Sequence, residues 1–167
     1  MTVNLPWNSR PPEVANLLNP AFCAVLLFDT VKQYQGEGYD GLPYALSFLV
    51  LPIILHKNTR QELPKTRSTK MSAWLQDKSF VKIGFAKRAR LTVPFTNEAI
   101  IYGVYGQVLA LSSEGLLTPG SSKISRSKKG DFYDEIYEYR MKAQFLGKWF
   151  SDAGSVSTIF AQWGIKP

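Results

Sequence analysis

Between Leu42 and Leu55 the chain reads LPYALSFLVLPIIL, a run with almost no polar side chain. It is shorter than the roughly 18 to 20 residues a bilayer span needs, and it contains Pro43 and Pro52. Apolar on all sides, it predicts a helix from Leu42 to His56 at the centre of a domain, with Pro52 kinking it or ending its first half. A buried strand is the rival reading, favoured by Val50, Ile53 and Ile54, but the run is long for one. Upstream, Leu17, Leu18, Phe22, Val25, Leu26, Phe28 and Val31 recur at helical spacing. Ser9 is placed to cap, Pro11 and Pro12 suit a first turn, and Asn19-Pro20 marks a break, so one or two helices are expected from about 12 to 35.

Downstream of the central run, Lys57 to Lys70 reads as a polar surface loop, and Met71, Trp74 and Leu75 share one face of a short helix. The stretch FVKIGFAKRAR predicts a basic amphipathic helix, with Phe80, Ile83, Phe85 and Ala86 toward one side and Lys82, Lys87, Arg88 and Arg90 toward the other. Pro94 is expected to stop it. Thr96 or Asn97 would then cap a new helix running to about Gln107, with Ile100, Ile101, Val104 and Tyr105 inward. The period changes at Val108: two short apolar runs, Val108 to Leu111 and Gly115 to Thr118, flank Ser112-Ser113-Glu114 and predict a β-hairpin. A basic loop follows. A final helical region presents Phe132, Ile136, Tyr139, Phe145, Leu146 and Trp149, and its acids Asp131, Asp134, Glu135 and Glu138 suit a helix N-terminus.

The fold class read from this order is mainly α: a winged-helix-like helical domain with a small β-hairpin near 108–118 and a C-terminal helical region. One domain spanning 1–167 is expected, with the helical core and hairpin at about 12–118, a basic loop at 119–130, and the C-terminal helix and tail at 131–167. Composition agrees, since 45% hydrophobic residues and 22 aromatics in 167 positions exceed what a disordered chain carries. The opening MTVNLPWNSRPPEVANLL lacks the layout of a secretory leader and there is a single cysteine, so a cytoplasmic, reducing setting is expected.

Charge changes the picture more than composition does. Ten Lys or Arg lie between Lys57 and Arg90 against only Glu62 and Asp77, more positive charge than the +7 of the whole chain. Such a concentration is the footprint expected of contact with nucleic-acid phosphate or an acidic protein face, the plain alternative being a well-solvated surface. The candidate contact residues are Lys57, Arg60, Lys65, Arg67, Lys70, Lys82, Lys87, Arg88 and Arg90, joined by Lys123, Arg126, Lys128 and Lys129 in the basic loop.

Residues able to make or break covalent bonds are scarce. One His and one Cys cannot build a zinc site. A Cys23/His56 nucleophilic pair is formally available, but Cys23 sits in an apolar helical pattern that suits an inert thiol. His56 is expected at a helix end with its ring near terminal carbonyls. The GEGYDG stretch matches G-x-G-x-x-G yet follows a helix rather than a strand, so it lacks the setting of a dinucleotide site. Asp131 and Glu135 share a helix face and are capable of holding Mg²⁺, although favourable interaction with the helix dipole explains them more simply. No enzyme, cofactor or metal is expected.

Asn16-Leu17-Leu18-Asn19-Pro20-Ala21-Phe22, Leu51-Pro52-Ile53-Ile54-Leu55-His56-Lys57 with Thr59-Arg60 and Leu63-Pro64, and the closing Trp163-Gly164-Ile165-Lys166-Pro167 together resemble the middle-component family of bacterial three-component ABC ATPase systems. The resemblance implies a small accessory subunit without an active site. Its partners would be an ABC ATPase of the SMC/Rad50-like type and a separate effector subunit, in anti-phage or anti-plasmid defence of the Lamassu kind, with double-stranded DNA as a further contact. The alternative left by the residues themselves is a stand-alone winged-helix nucleic-acid-binding protein.

Overall fold

The computed structural model describes residues 9–124 and 133–166. Among them, helix α1 (Pro12–Leu17) leads into α2 (Pro20–Gly36), and the break at Asn19-Pro20 has a local cause. Asn19 Oδ1 accepts hydrogen bonds from the amides of Ala21 and Phe22 at 2.8 and 3.3 Å, while Pro20 occupies the first turn, where a missing N–H costs nothing.

The glycine-rich stretch is a turn. Gly38 has φ +96°, and Gly41 passes so close to the Leu117 backbone that a Cβ would meet its carbonyl oxygen at 2.8 Å. That approach lets a two-residue strand β1 (Leu42–Pro43) pair with the hairpin, a strand hidden in sequence inside the apolar run of the predicted helix. The helix itself, α3 (Tyr44–Ile54), continues through Pro52 with Leu46, Leu49, Val50, Leu51, Ile53 and Ile54 buried, and packs against three other long helices.

The segment expected as a loop contains a short helix α4 (Lys57–Glu62), followed by α5 (Met71–Asp77), which buries Met71, Trp74 and Leu75 as their spacing predicts. A single basic helix over 80–90 does not form. A 3₁₀ turn occupies Ser79–Lys82, Gly84 is left-handed at φ +68°, and α6 then runs from Phe85 to Tyr105 straight through Pro94. The left-handed residue re-phases the chain, so Val81 and Phe85 face inward while Phe80 and Ile83 stay exposed. Pro94 removes the bond that Arg90 O would accept from its amide, and the helix continues across it while packed against α2 and α3. Thr96 caps nothing; it is buried and its hydroxyl donates to Thr92 O at 3.2 Å.

Strands β2 (Leu109–Leu111) and β3 (Leu116–Pro119) form the expected hairpin, in the register Leu109↔Pro119 and Leu111↔Leu117. Gly115, with φ +76°, closes its turn, and the antiparallel sheet has the order β1-β3-β2. Helices α7 (Tyr133–Asp152) and α8 (Val156–Gln162) complete a mainly helical body. Tyr139, Leu146 and Trp149 of α7 are buried as predicted; Ile136 is exposed, and Phe132 lies outside the described residues. Just past α8, Trp163 enters an aromatic cluster with Phe85 (ring centroids 4.4 Å apart), Trp74 and Trp149. No helix among the described residues is long and apolar enough to cross a membrane.

Candidate docking surface

Three of the expected contact cations are committed to the chain's own acceptors. Arg60, 5% exposed, donates through Nη1 to Ile54 O at 2.8 Å and through Nε to Glu138 at 3.3 Å, with its guanidinium 4.0 Å from the Tyr139 ring centroid. Arg88 donates to Pro52 O at 3.2 Å, and more weakly to Val81 O and Thr59 Oγ1. Both arginines therefore serve carbonyls at the C-terminal end of α3, which a helix end leaves without intrahelical partners and whose partial negative charge favours cations. Arg67 lies between Asp152, at 2.7 Å, and Glu37, at 2.8 Å, and these two carboxylates raise its already high pKa. That pairing holds the loop after α4 against the C-terminal ends of α2 and α7.

His56 sits at the same junction, but it caps the start of α4 rather than the end of α3. Its Nδ1 accepts from the Thr59 amide at 3.3 Å and lies 2.8 Å from Thr59 Oγ1. Burial, Arg88 and Arg60 all depress its pKa below the ordinary 6.5. A depressed folded-state value means the unfolded chain takes the proton first. Stability is therefore expected to be level above about pH 6.5 and to decline as pH falls from there toward the folded-state value; His56→Gln should flatten that decline in denaturant titrations across pH 5–8.

Lys57, Lys65, Lys70, Lys82, Lys87, Arg90 and Lys123 are exposed. Lys87 and Arg90 stand in the first turns of α6 and Lys82 in the 3₁₀ turn before it, whereas Lys65 and Lys70 flank Arg67 on the loop it anchors; Arg126, Lys128 and Lys129 lie outside the described residues. Cys23 is fully buried, with its thiol pushed up to about 12, chiefly by burial, and Sγ directed at Leu17 O. Of the acids, Asp134 and Glu135 occupy the exposed first turn of α7, Glu138 pairs with Arg60, and Asp131 lies outside the described residues. A cleft of about 390 Å³ between α2, α7 and the segment after β3 includes Asp29 and Arg140, whose charges are spent on each other at 2.6 and 3.0 Å.

The feature missed by sequence reasoning is the outer face of α6. Phe85, Ala89, Thr96, Ala99, Ile100 and Gly103 face the core. The opposite face carries Lys87, Arg90 and Leu91, then Ile101 (59% exposed), Tyr102 and Tyr105 (88% exposed). Ile101, Val104 and Tyr105 thus point outward, against the expectation from their spacing. Their signal is present as apolar residues on both sides of one helical wheel, which a single-stripe reading assigns wholly to the core. The N-terminal turns of α7 also expose Tyr133, Ile136, Tyr137 and Met141, with Tyr133 stacked on Tyr137.

The motif words of the sequence are thus structural: Asn19-Pro20 caps α2, Leu51 to Ile54 are core, Arg60 braces α3, and Trp163 fills the aromatic cluster. The family description of the ABC-three component (ABC-3C) system Middle Component 3 matches residues 7–167. Neither a curated protein nor a solved structure matches the chain.

Proposed function

This chain belongs to the family of Middle Component 3 proteins of ABC-three component systems, and from that premise we propose that it is a non-catalytic accessory subunit linking an SMC/Rad50-like ABC ATPase to an effector. The setting is cytoplasmic anti-phage or anti-plasmid defence. The observation that carries the reading is the family match over nearly the whole chain, whose motif residues are consumed in capping and packing while large apolar side chains are left outside. In a subunit whose work is contact, sequence words would build a rigid body and the surface would do the rest.

Co-expression with the two other components of its system, followed by size-exclusion chromatography, is expected to give a complex retaining all three chains. Migration of this chain as a lone monomer from that co-expression would refute the adaptor reading.

A second reading has support from the order of elements. Helix α2, strand β1, helix α3, helix α6 and the hairpin follow one another as in a winged helix, with residues 57–84 inserted ahead of its third helix. Exposed Lys82, Lys87 and Arg90 at that helix suit duplex DNA. DNA binding through six to ten phosphates would weaken by about three to five decades between 50 and 200 mM salt. A shallow salt dependence would exclude it.

A further inference from the structure

We propose that the outer face of α6 is the docking site for an amphipathic helix of another component of the system, one that is apolar along one stripe and acidic at the end lying over Lys82, Lys87 and Arg90. The inference rests on the adaptor reading and specifies its contact.

Three observations define the occupant. The face lies opposite the buried residues of α6 and is exposed at both ends, at Lys87 and Leu91 and at Ile101, Tyr102 and Tyr105, with partly buried Pro94, Asn97 and Glu98 between them. From Lys87 to Tyr105 it extends ~27 Å, the length of a partner helix of about five turns. Its charge is one-sided, since Lys82, Lys87 and Arg90 have no ion-pair partner among the described residues, and the positive N-terminal end of α6 adds to them. The acid on this face, Glu98, is already bound by Arg10 at 2.6 Å. The other half, Ile101 to Tyr105, has no charge at all.

That combination selects among occupants. Duplex DNA would use the cations but not Ile101, Tyr102 and Tyr105, because phosphate and base-edge contacts come mostly from charged and polar groups. A second copy meeting α6 with α6 would set these cations against each other or against the uncharged half, with no available carboxylate to receive them. A helix carrying carboxylates at one end and apolar residues along its length satisfies both halves, and tyrosines with partly exposed aliphatics are what protein interfaces concentrate.

The test uses the full chain co-expressed with the other two components. Ile101→Asp with Tyr105→Ala removes the apolar half; Lys87→Glu with Arg90→Glu reverses the charged half; Lys65→Glu with Lys123→Glu makes the same charge change elsewhere. All six side chains are exposed, so thermal unfolding within a few degrees of wild type is expected for each pair. Both α6 pairs should weaken binding to the purified partner component at least tenfold, with the control pair unchanged. If wild type forms the complex and both α6 pairs bind equally well, the docking face is wrong while the adaptor reading stands. Wild type that binds neither component overturns both. Binding lost equally in the control pair assigns the effect to net charge and overturns the proposal. A wild-type dimer that the Ile101/Tyr105 pair converts to monomer identifies a second copy as occupant and overturns it. So does duplex binding lost in the Lys87/Arg90 pair while the protein complex persists.

Discussion

Gly147→Ala is expected to destabilise the protein by about 3 kcal/mol or more, measured as a lowered denaturant midpoint with little change in slope. Gly147 is buried in α7 where that helix crosses α2, and a Cβ there would overlap the Thr30 carbonyl oxygen and crowd its carbon and the Gln33 side chain. The opposing groups are helix backbone and cannot swing aside. The crossing is tight in both directions, because the buried Thr30 hydroxyl is within hydrogen-bond reach of Ala143 O at 3.1 Å and Leu26 O at 3.0 Å. At Gly36, the end of α2, a methyl group would project into open space with nothing within 4 Å, and Gly36→Ala should be neutral or slightly stabilising. Equal stability of the two variants would mean that α2 and α7 do not approach as described.

Asp29→Ala should cost about 3–5 kcal/mol at neutral pH, because it strands a guanidinium. Asp29 is 3% exposed, and its carboxylate accepts from Arg140 Nε at 2.6 Å and Nη2 at 3.0 Å, with Gln144 Nε2 at 3.4 Å. In the folded protein that hydrogen bonding raises the Arg140 pKa. Once the carboxylate is removed the guanidinium still cannot escape by losing its proton, because arginine stays protonated at any pH at which the protein is folded. Changing both members, Asp29→Leu with Arg140→Met, is expected to recover much of the loss, since a buried pair often contributes little more than a well-packed apolar substitute. A double-mutant cycle in urea measures the coupling, and a double variant as unstable as Asp29→Ala would show that the pair's value is not electrostatic.

What can be read from the chain alone is whatever local chemistry decides. Asn19-Pro20 sets its own break, Met71, Trp74 and Leu75 set the inward face of α5, and Ser112 to Gly115 sets a turn between apolar runs. Strand β1 is invisible there because its hydrogen bonds come from Leu116 and Leu117, far along the chain. Pro94 misleads because the packing of α6 on α2 and α3 holds the helix together across it, and those contacts are not carried by the local sequence. The basic segment is legible as composition but not as destination: Arg60 and Arg88 look like their exposed neighbours in sequence, and only the arrival of the α3 end beside them turns them into internal braces. The outer face of α6 is hidden for a related reason, since Ile101 and Tyr105 have the same chemistry as Ile100, and the phase of the helix decides which side each takes.

The α2–α7 crossing also bears on how the chain reaches its native state. Thr30 and Ala143 are 113 positions apart, so joining them closes a loop through most of the polypeptide, whereas contacts among α2, α3 and α6 require shorter closures. Docking of α7 is then expected late, after the rate-limiting barrier. Loosening it should leave refolding kinetics nearly untouched and show up as faster escape from the native basin.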